Sequence, residues 1–404
     1  MLERPHYIKK ITPYVDKPLV KILTGIRRCG KSSILQMLRD KLAGGKASPA
    51  TVLHINFELL DYLHLDSAAK LTAHLKQTLS PQTRYILFDE IQNVAGWELV
   101  VNGLHAADKY DIYITGSNSS LLSGELATRI AGRYLSFHIA PLTFSEHLLF
   151  QQKLRATGTA TDLPAEFERY LQLGGFPVVP VTGVAAEQGD KIITDIYHSI
   201  ILRDLVERKK IRNTDQLNRV VRFVLGNLGN TFSAKSIADY LKSQNRKIDI
   251  ETIYSYLNAL EEAFVLSRVH RYDIKGKEVL KTFEKFYVAD HSLVNAVLGR
   301  SSAHISGFLE NIVYHELIQR GYEVHLGKLA DAEIDFVATR GTEKKYIQVA
   351  YKLDAAKTVE REFAPLAKIT DGEKLVLTLE KNFASPDNTI SHHNLTNWLT
   401  EGKN

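Results

Sequence analysis

Eight consecutive residues near the beginning of the chain, Gly25-Ile26-Arg27-Arg28-Cys29-Gly30-Lys31-Ser32, have the types and spacing needed to grip phosphate. They fit G-x-x-x-x-G-K-[ST], in which glycines let the backbone turn tightly enough for its N–H groups to converge on phosphate oxygens. The helix expected to follow adds N–H donors and a partial positive charge, so Ser33 joins the expected cradle. Lys31 is placed to reach β- and γ-phosphates, and Ser32 to give its hydroxyl to Mg²⁺. Cys29 lies inside the loop, where a helix N-terminus would depress a thiol pKa, yet it fills a variable position of the pattern.

Three further groups could complete such a site. Tyr85-Ile86-Leu87-Phe88-Asp89-Glu90 is an apolar run ending in two carboxylates. Asp89 would orient a water on Mg²⁺ and Glu90 would act as general base toward the attacking water. The run Ile112–Asn118 ends in polar residues, of which Asn118, or Ser117 or Thr115, would sense the γ-phosphate or fix that water. Arg129 and Arg133 are four residues apart and share a face if helical; one of them reaching a neighbouring subunit's γ-phosphate would stabilise transition-state charge. A surface arginine pair is the alternative.

Positioning these groups requires a sheet. The apolar runs 20–25, 51–57, 85–90, 111–117 and 135–140 are short, rich in Val, Ile, Leu, Phe and Tyr, and separated by helix-length stretches. That pattern predicts a parallel sheet buried on both faces in an α/β doubly wound domain over residues 1–150. Ile34, Leu35, Leu38 and Leu42 keep helical spacing before Gly44 and Gly45. Beyond lies a helical lid or connector over 151–211, broken by the run LGGFPVVP. A helical domain with a small β element follows over 212–300, then a small α/β domain over 301–404. The last is expected to hold a helix at 306–320 and strands near 322–326, 333–338, 345–351 and 374–379.

Composition sets the class. The chain has 404 residues, 44% hydrophobic and 24% charged, which excludes a disordered or collagen-like protein. One cysteine excludes intrachain disulfides and four-cysteine zinc sites. No apolar run approaches the ~18–20 residues of a membrane-spanning helix. The opening MLERPHYIKK lacks the order of a secretory signal, so the cytoplasm is the expected location. Residues 201–300 hold 18 Lys+Arg against 12 Asp+Glu, a net of +6 that leaves −1 for the other 304 residues, and this points to an anionic partner.

The phosphate loop, acidic pair, polar strand end and arginines, in this order, resemble the AAA+ branch of P-loop ATPases. GIRRCGKSS, LFDEIQN, ITGSNSSLLSGELATRIAGR, PLTFSEHL, YLQLGGFP, GFLENIVYHEL and AEIDF are similar to a prokaryotic family with an N-terminal AAA-type ATPase domain. The resemblance spans nearly the whole chain. It implies ATP binding, Mg²⁺-dependent hydrolysis and self-association into a ring of about six or seven subunits.

Residues 231–275 read as helix, helix and hairpin, with Ser233 as an N-cap and a turn at Lys275-Gly276-Lys277, an order that resembles a winged helix-turn-helix. Its second helix would expose Glu251, Thr252, Tyr254 and Ser255, while Arg246, Lys247, Arg268, Arg271, Lys275 and Lys277 would contact DNA phosphates. The alternative is a module for protein contact. The C-terminal segment resembles the restriction-nuclease-like fold, which implies a metal-holding set at Glu310, Asp335 and Gln348. The lysine of that set falls at Ala350, and the substitute Lys352 lies ~6–7 Å farther along the strand, so the site is expected to be degenerate. Three functions compete: an ATPase remodelling or gripping DNA, a nucleotide-switched protein-binding regulator or chaperone-like scaffold, and an ATP-regulated nuclease.

Overall fold

The computed structural model describes residues 3–44, 51–119, 132–154, 162–330 and 332–401. The chain divides into two compact units, one running to Pro141 with the segment Glu262–Phe264, the other comprising Leu142–Glu261 and Val265–Asn404. Apart from the segment Glu262–Phe264, the division falls between Pro141 and Leu142. No helix among the described residues is long and apolar enough to cross a membrane.

In the first unit five strands form a parallel sheet: β1 (Val20–Thr24), β2 (Val52–Asn56), β3 (Tyr85–Asp89), β4 (Asp111–Gly116) and β5 (Tyr134–His138), in the order β2-β3-β4-β1-β5. All five apolar runs are strands. Every residue of β1, β3 and β4 is buried, which explains their continuous rather than alternating hydrophobicity: helices cover both faces. Ile86, Phe88, Ile112 and Ile114 pack with Leu71, Leu75, Trp97 and Val101 from helices α3 (Ala68–Thr78) and α4 (Trp97–Ala106). Each such side chain contributes roughly 1.5–3 kcal/mol of burial. Helix α1 (Pro5–Ile11) precedes β1, and α2 (Lys31–Gly44) follows it, burying Ile34, Leu35, Leu38 and Leu42.

The strand order decides where chemistry can occur. Because β4 lies between β1 and β3, with Leu23 paired to Thr115 and Phe88 to Ile114, the C-terminal ends of all three strands converge. Open α/β sheets place ligands at such ends.

The second unit begins with helices α5 (Phe144–Leu154), α6 (Leu163–Leu173), α7 (Val178–Thr182), α8 (Ala186–Ser199) and α9 (Thr214–Gly226), as the helical pattern of this stretch predicts. The LGGFP run is a tight junction: side chains at Gly174 and Gly175 would collide with Asp290 and the Leu142 carbonyl, and Asp290 Oδ2 accepts the Gly175 N–H at 2.6 Å. Then come β6 (Thr231–Phe232), α10 (Ala234–Ser243), α11 (Ile250–Glu262), β7 (Leu266–Asp273) and β8 (Glu278–Val288). Ser233 caps α10, its hydroxyl accepting the Ser236 N–H at 3.1 Å. Asp273 shapes the hairpin turn by accepting N–H bonds from Lys275 and Gly276.

After α12 (Ser292–Leu298) and α13 (Ile305–Gln319) come β9 (Glu323–Leu329), β10 (Ala332–Arg340), β11 (Glu343–Val349), α14 (Ala356–Ala367), β12 (Glu373–Thr378), β13 (Ser391–Asn394) and α15 (Leu395–Thr400). The four expected strands are present, and the polar β13 adds a fifth. These strands do not form a sheet of their own. Strand β9 pairs in parallel with β7, giving one eight-stranded sheet, β13-β12-β11-β10-β9-β7-β8-β6, that continues across position 300.

Candidate active site

The loop from Gly25 to Gly30 joins β1 to α2 in a conformation that few sequences allow. Gly25 has φ 145°, Arg28 66° and Gly30 102°. A Cβ at Gly25 would collide with the Ile139 carbonyl oxygen, so glycine is required by space as well as by dihedral angle. Two of the variable positions anchor the loop: Ile26 and Cys29 are fully buried, whereas Arg28 is exposed and Arg27 pairs with Glu58 at 3.5 Å. Burial pushes the Cys29 thiol pKa up, with the Lys31 and Arg4 charges opposing, rather than down as a helix N-terminus alone would. Main-chain N–H groups of Gly30, Lys31, Ser32 and Ser33 form the first turn of α2, where the helix leaves its donors for a ligand.

Lys31 is buried, and its Nζ donates to the carbonyls of Gly25 and Ile26 at 3.1 and 3.2 Å. Glu90 lies 3.5 Å from the same ammonium. Burial works against the charge, but Glu90 first, with Cys29 and Asp89, outweighs it and holds the lysine pKa above its ordinary value.

Asp89 closes β3 and is fully buried. Its Oδ1 accepts from Thr115 Oγ1 at 2.5 Å and Ser32 Oγ at 3.1 Å, and its Oδ2 accepts from Asn56 Nδ2 at 3.0 Å. These donors satisfy a carboxylate that would otherwise be costly to bury. Desolvation still dominates and raises its pKa, with the Thr115 and Ser32 bonds opposing. Glu90 stands next in a left-handed conformation, φ 56°, and its N–H donates to Thr115 Oγ1 at 2.9 Å. The turn aims its carboxylate at Lys31, and Gln92 Nε2 donates to it. Ser117 and Asn118 are buried directly beyond β4.

These residues fit a magnesium–triphosphate group. Among the described residues no cluster of three or more His, Cys, Asp and Glu forms a metal cage. The serine hydroxyl and the Asp89 carboxylate, 3.1 Å apart, are hard oxygen donors that leave most ligand positions to phosphate and water, as Mg²⁺ prefers. Arg129 lies outside the described residues. Arg133 is exposed just before β5, and its carbonyl accepts the Val20 N–H at 2.9 Å.

One contributor is invisible in the sequence. Arg4 is 2% exposed, and its guanidinium donates to the carbonyls of Cys29 and Ala140 at 3.0 and 2.8 Å and of Pro141 at 3.3 Å. Fixing the Cys29 carbonyl fixes the peptide plane that carries the Gly30 N–H. No local pattern marks an arginine 21 residues before the loop.

In the second unit, Arg246, Lys247, Lys275 and Lys277 are exposed, and Arg271 is partly buried. Arg268 corrects the expectation of a phosphate contact. Its guanidinium is bound to Glu261, Glu284 and Asn258 and lies over Phe286, so its charge is already neutralised. Glu310, Asp335 and Gln348 do converge, but Lys352 is exposed and does not join them. The lysine that does is Lys285 of β8, 1% exposed, whose Nζ donates to Glu310 Oε2 at 2.7 Å and lies 3.3 Å from Glu333 and 3.6 Å from Asp335. Its alternation with Tyr287 in a strand was the available signal.

Residues 17–148 match the family profile described as an AAA domain, and residues 164–304 match a domain of unknown function. An uncharacterized protein of Haemophilus influenzae is 36% identical over 355 residues, spanning 87% of this chain and 88% of its own. An uncharacterized protein of Methanocaldococcus jannaschii is 34% identical over 369 residues, spanning 88% and 80%. Among solved structures, a Walker-type ATPase of Pyrococcus abyssi shares the fold with a TM-score of 0.53 at 16% identity, over 74% of this chain and 96% of that one.

Proposed function

Since the chain belongs to a family of AAA-type P-loop ATPases, we propose that it hydrolyses ATP to ADP and phosphate with Mg²⁺ and couples the cycle to gripping or remodelling DNA through its second unit. The observation that carries the ATPase chemistry is the joint placement of Asp89 and Glu90, one held by the Ser32 hydroxyl and the other 3.5 Å from Lys31.

Mg²⁺ bound beside Ser32 and Asp89 would neutralise charge on the β- and γ-phosphates. The loop N–H groups hold the phosphates, and Lys31 exchanges its two carbonyl partners for phosphate oxygens. Glu90 takes a proton from the attacking water, in a position fixed by its own N–H bond to Thr115. Asn118 orients that water or senses the γ-phosphate, and Arg133 or Arg129 reaches the site of a neighbouring copy in a ring. Purified Lys31→Ala should lose nucleotide binding, whereas Glu90→Gln should bind ATP and turn over ~10²–10⁴-fold more slowly. Full turnover by Lys31→Ala would overturn this reading.

The DNA part is supported by the +6 charge of residues 201–300 and by exposed Arg246, Lys247, Lys275 and Lys277 at the α10–α11 loop and the hairpin turn. The order helix, helix, hairpin is that of a winged helix. A second reading, a nucleotide-switched regulator that binds a protein client, is favoured by exposed Glu251 on α11 and by the neutralised Arg268. An electrophoretic shift assay with a non-hydrolysable ATP analogue separates the two.

A further inference from the structure

The restriction-nuclease-like fold implies a divalent metal among Glu310, Asp335 and Gln348, and the donors in the second unit do not fit one. Along β8, Lys285 and Tyr287 point to one face. There the Lys285 ammonium occupies the centre toward which the carboxylates of Glu310, Glu333 and Asp335 turn, at 2.7, 3.3 and 3.6 Å. A metal ligated by these oxygens would sit at ~2.0–2.6 Å from each, in the volume that the ammonium fills, and would face an adjacent positive charge. Burial disfavours the lysine's charge, but Tyr287, Glu310, Asp335 and Glu333 outweigh it and hold its pKa well above the ordinary value, while burial pushes the Glu310 carboxyl up to about 8.

The remaining donors are also committed. Gln348 Oε1 accepts the Asp335 N–H at 2.8 Å, and its Nε2 donates to the Glu333 carbonyl at 3.3 Å. The amide thus bridges the β10 backbone where its register with β9 shifts between Ile334 and Val337. Asp335 Oδ2 accepts the Val349 N–H at 2.9 Å. Gln348 and Asp335 are thereby held by the β10 and β11 backbone, facing an ammonium that already fills the volume among the carboxylates.

We propose that Lys285 is a tethered cation standing in place of the divalent metal, joining β8, β10 and α13 and leaving the second unit without phosphodiester-cleaving chemistry. The ammonium satisfies the same carboxylates that a metal would, but it offers no Lewis acid and activates no water.

The test uses the full-length chain without nucleotide, titrated with Mn²⁺ and followed by electron paramagnetic resonance, with thermal unfolding alongside. The unaltered chain and Asp335→Asn should bind the same number of Mn²⁺ ions. A site present in the unaltered chain and lost in Asp335→Asn overturns the proposal, and so does Mg²⁺- or Mn²⁺-dependent plasmid cleavage that disappears in Lys285→Ala. Lys285→Ala should unfold at lower temperature, gain one Mn²⁺ site and recover several degrees on adding Mn²⁺. Both gains should vanish in Lys285→Ala/Asp335→Asn. A folded Lys285→Ala that gains no Mn²⁺ site counts against the proposal. If Lys285→Ala does not fold, the comparison of the unaltered chain with Asp335→Asn still decides.

Discussion

Thr115 and Asp89 are joined by a 2.5 Å hydrogen bond across the β3–β4 boundary, and the same threonine hydroxyl accepts the Glu90 N–H at 2.9 Å. One hydroxyl therefore sets both acidic residues, donating to the first and fixing the backbone of the second. Thr115→Val preserves shape and removes both bonds. We expect ATP turnover to fall ~10–100-fold, the usual effect of losing a residue that orients a metal-side carboxylate. Nucleotide affinity, measured by fluorescent-analogue titration, should change much less. Unchanged turnover would contradict this role.

Arg4 makes a second, independent prediction. Its fork joins the Cys29 carbonyl of the phosphate loop to the carbonyls of Ala140 and Pro141. Lysine cannot reproduce a planar fork. Arg4→Lys should weaken nucleotide binding and lower the unfolding midpoint, since a buried carbonyl left unpaired costs ~1–3 kcal/mol. Isothermal titration with an ATP analogue and calorimetry of the free protein measure the two effects.

DNA binding, if it uses the exposed cations, must be sensitive to salt. About four phosphate contacts from Arg246, Lys247, Lys275 and Lys277 would weaken binding by ~10²-fold between about 50 and about 200 mM salt. Lys275→Glu/Lys277→Glu should reduce the slope of log K against log salt by about two. Arg268→Gln should leave that slope alone and instead cost about 1–2 kcal/mol of stability, because Glu261 and Glu284 lose their shared partner.

His315 predicts a pH dependence. Its Nε2 lies 2.6 Å from the Val288 carbonyl. Burial lowers its pKa from 6.5, with the Val288 carbonyl and Asp290 opposing and His291 assisting. The unfolded chain thus binds the proton more readily than the folded one. Stability is fully present above pH ~6.5 and falls as pH drops through the window between that value and the lowered folded pKa. His315→Gln, which keeps a donor but does not titrate, should raise the urea midpoint at about pH 5.5 relative to that at about pH 7.5, compared with the unaltered chain. The residual dependence would come from His54, His325 and His392, whose pKa values burial also lowers, opposed by Glu310, whose carboxyl burial pushes up to about 8 and whose contribution to stability is therefore lost as pH rises.

The amino-acid sequence alone determined the features encoded over a few adjacent residues. Buried parallel strands read as continuous apolar runs because both faces are covered, and the phosphate loop reads as Gly25, Gly30, Lys31 and Ser32 because its geometry is local. The tertiary structure decided everything that depends on strand order. Thr115 meets Asp89, 26 residues away, because β4 is inserted between β1 and β3, and Arg4 reaches Ala140 across 136 residues. The pairing of β9 with β7 likewise made one sheet of two sequence segments and brought Lys285, rather than Lys352, among the carboxylates. Periodicity assigns a residue to a face of its own strand, but which strands become neighbours is settled by the packing of the whole unit.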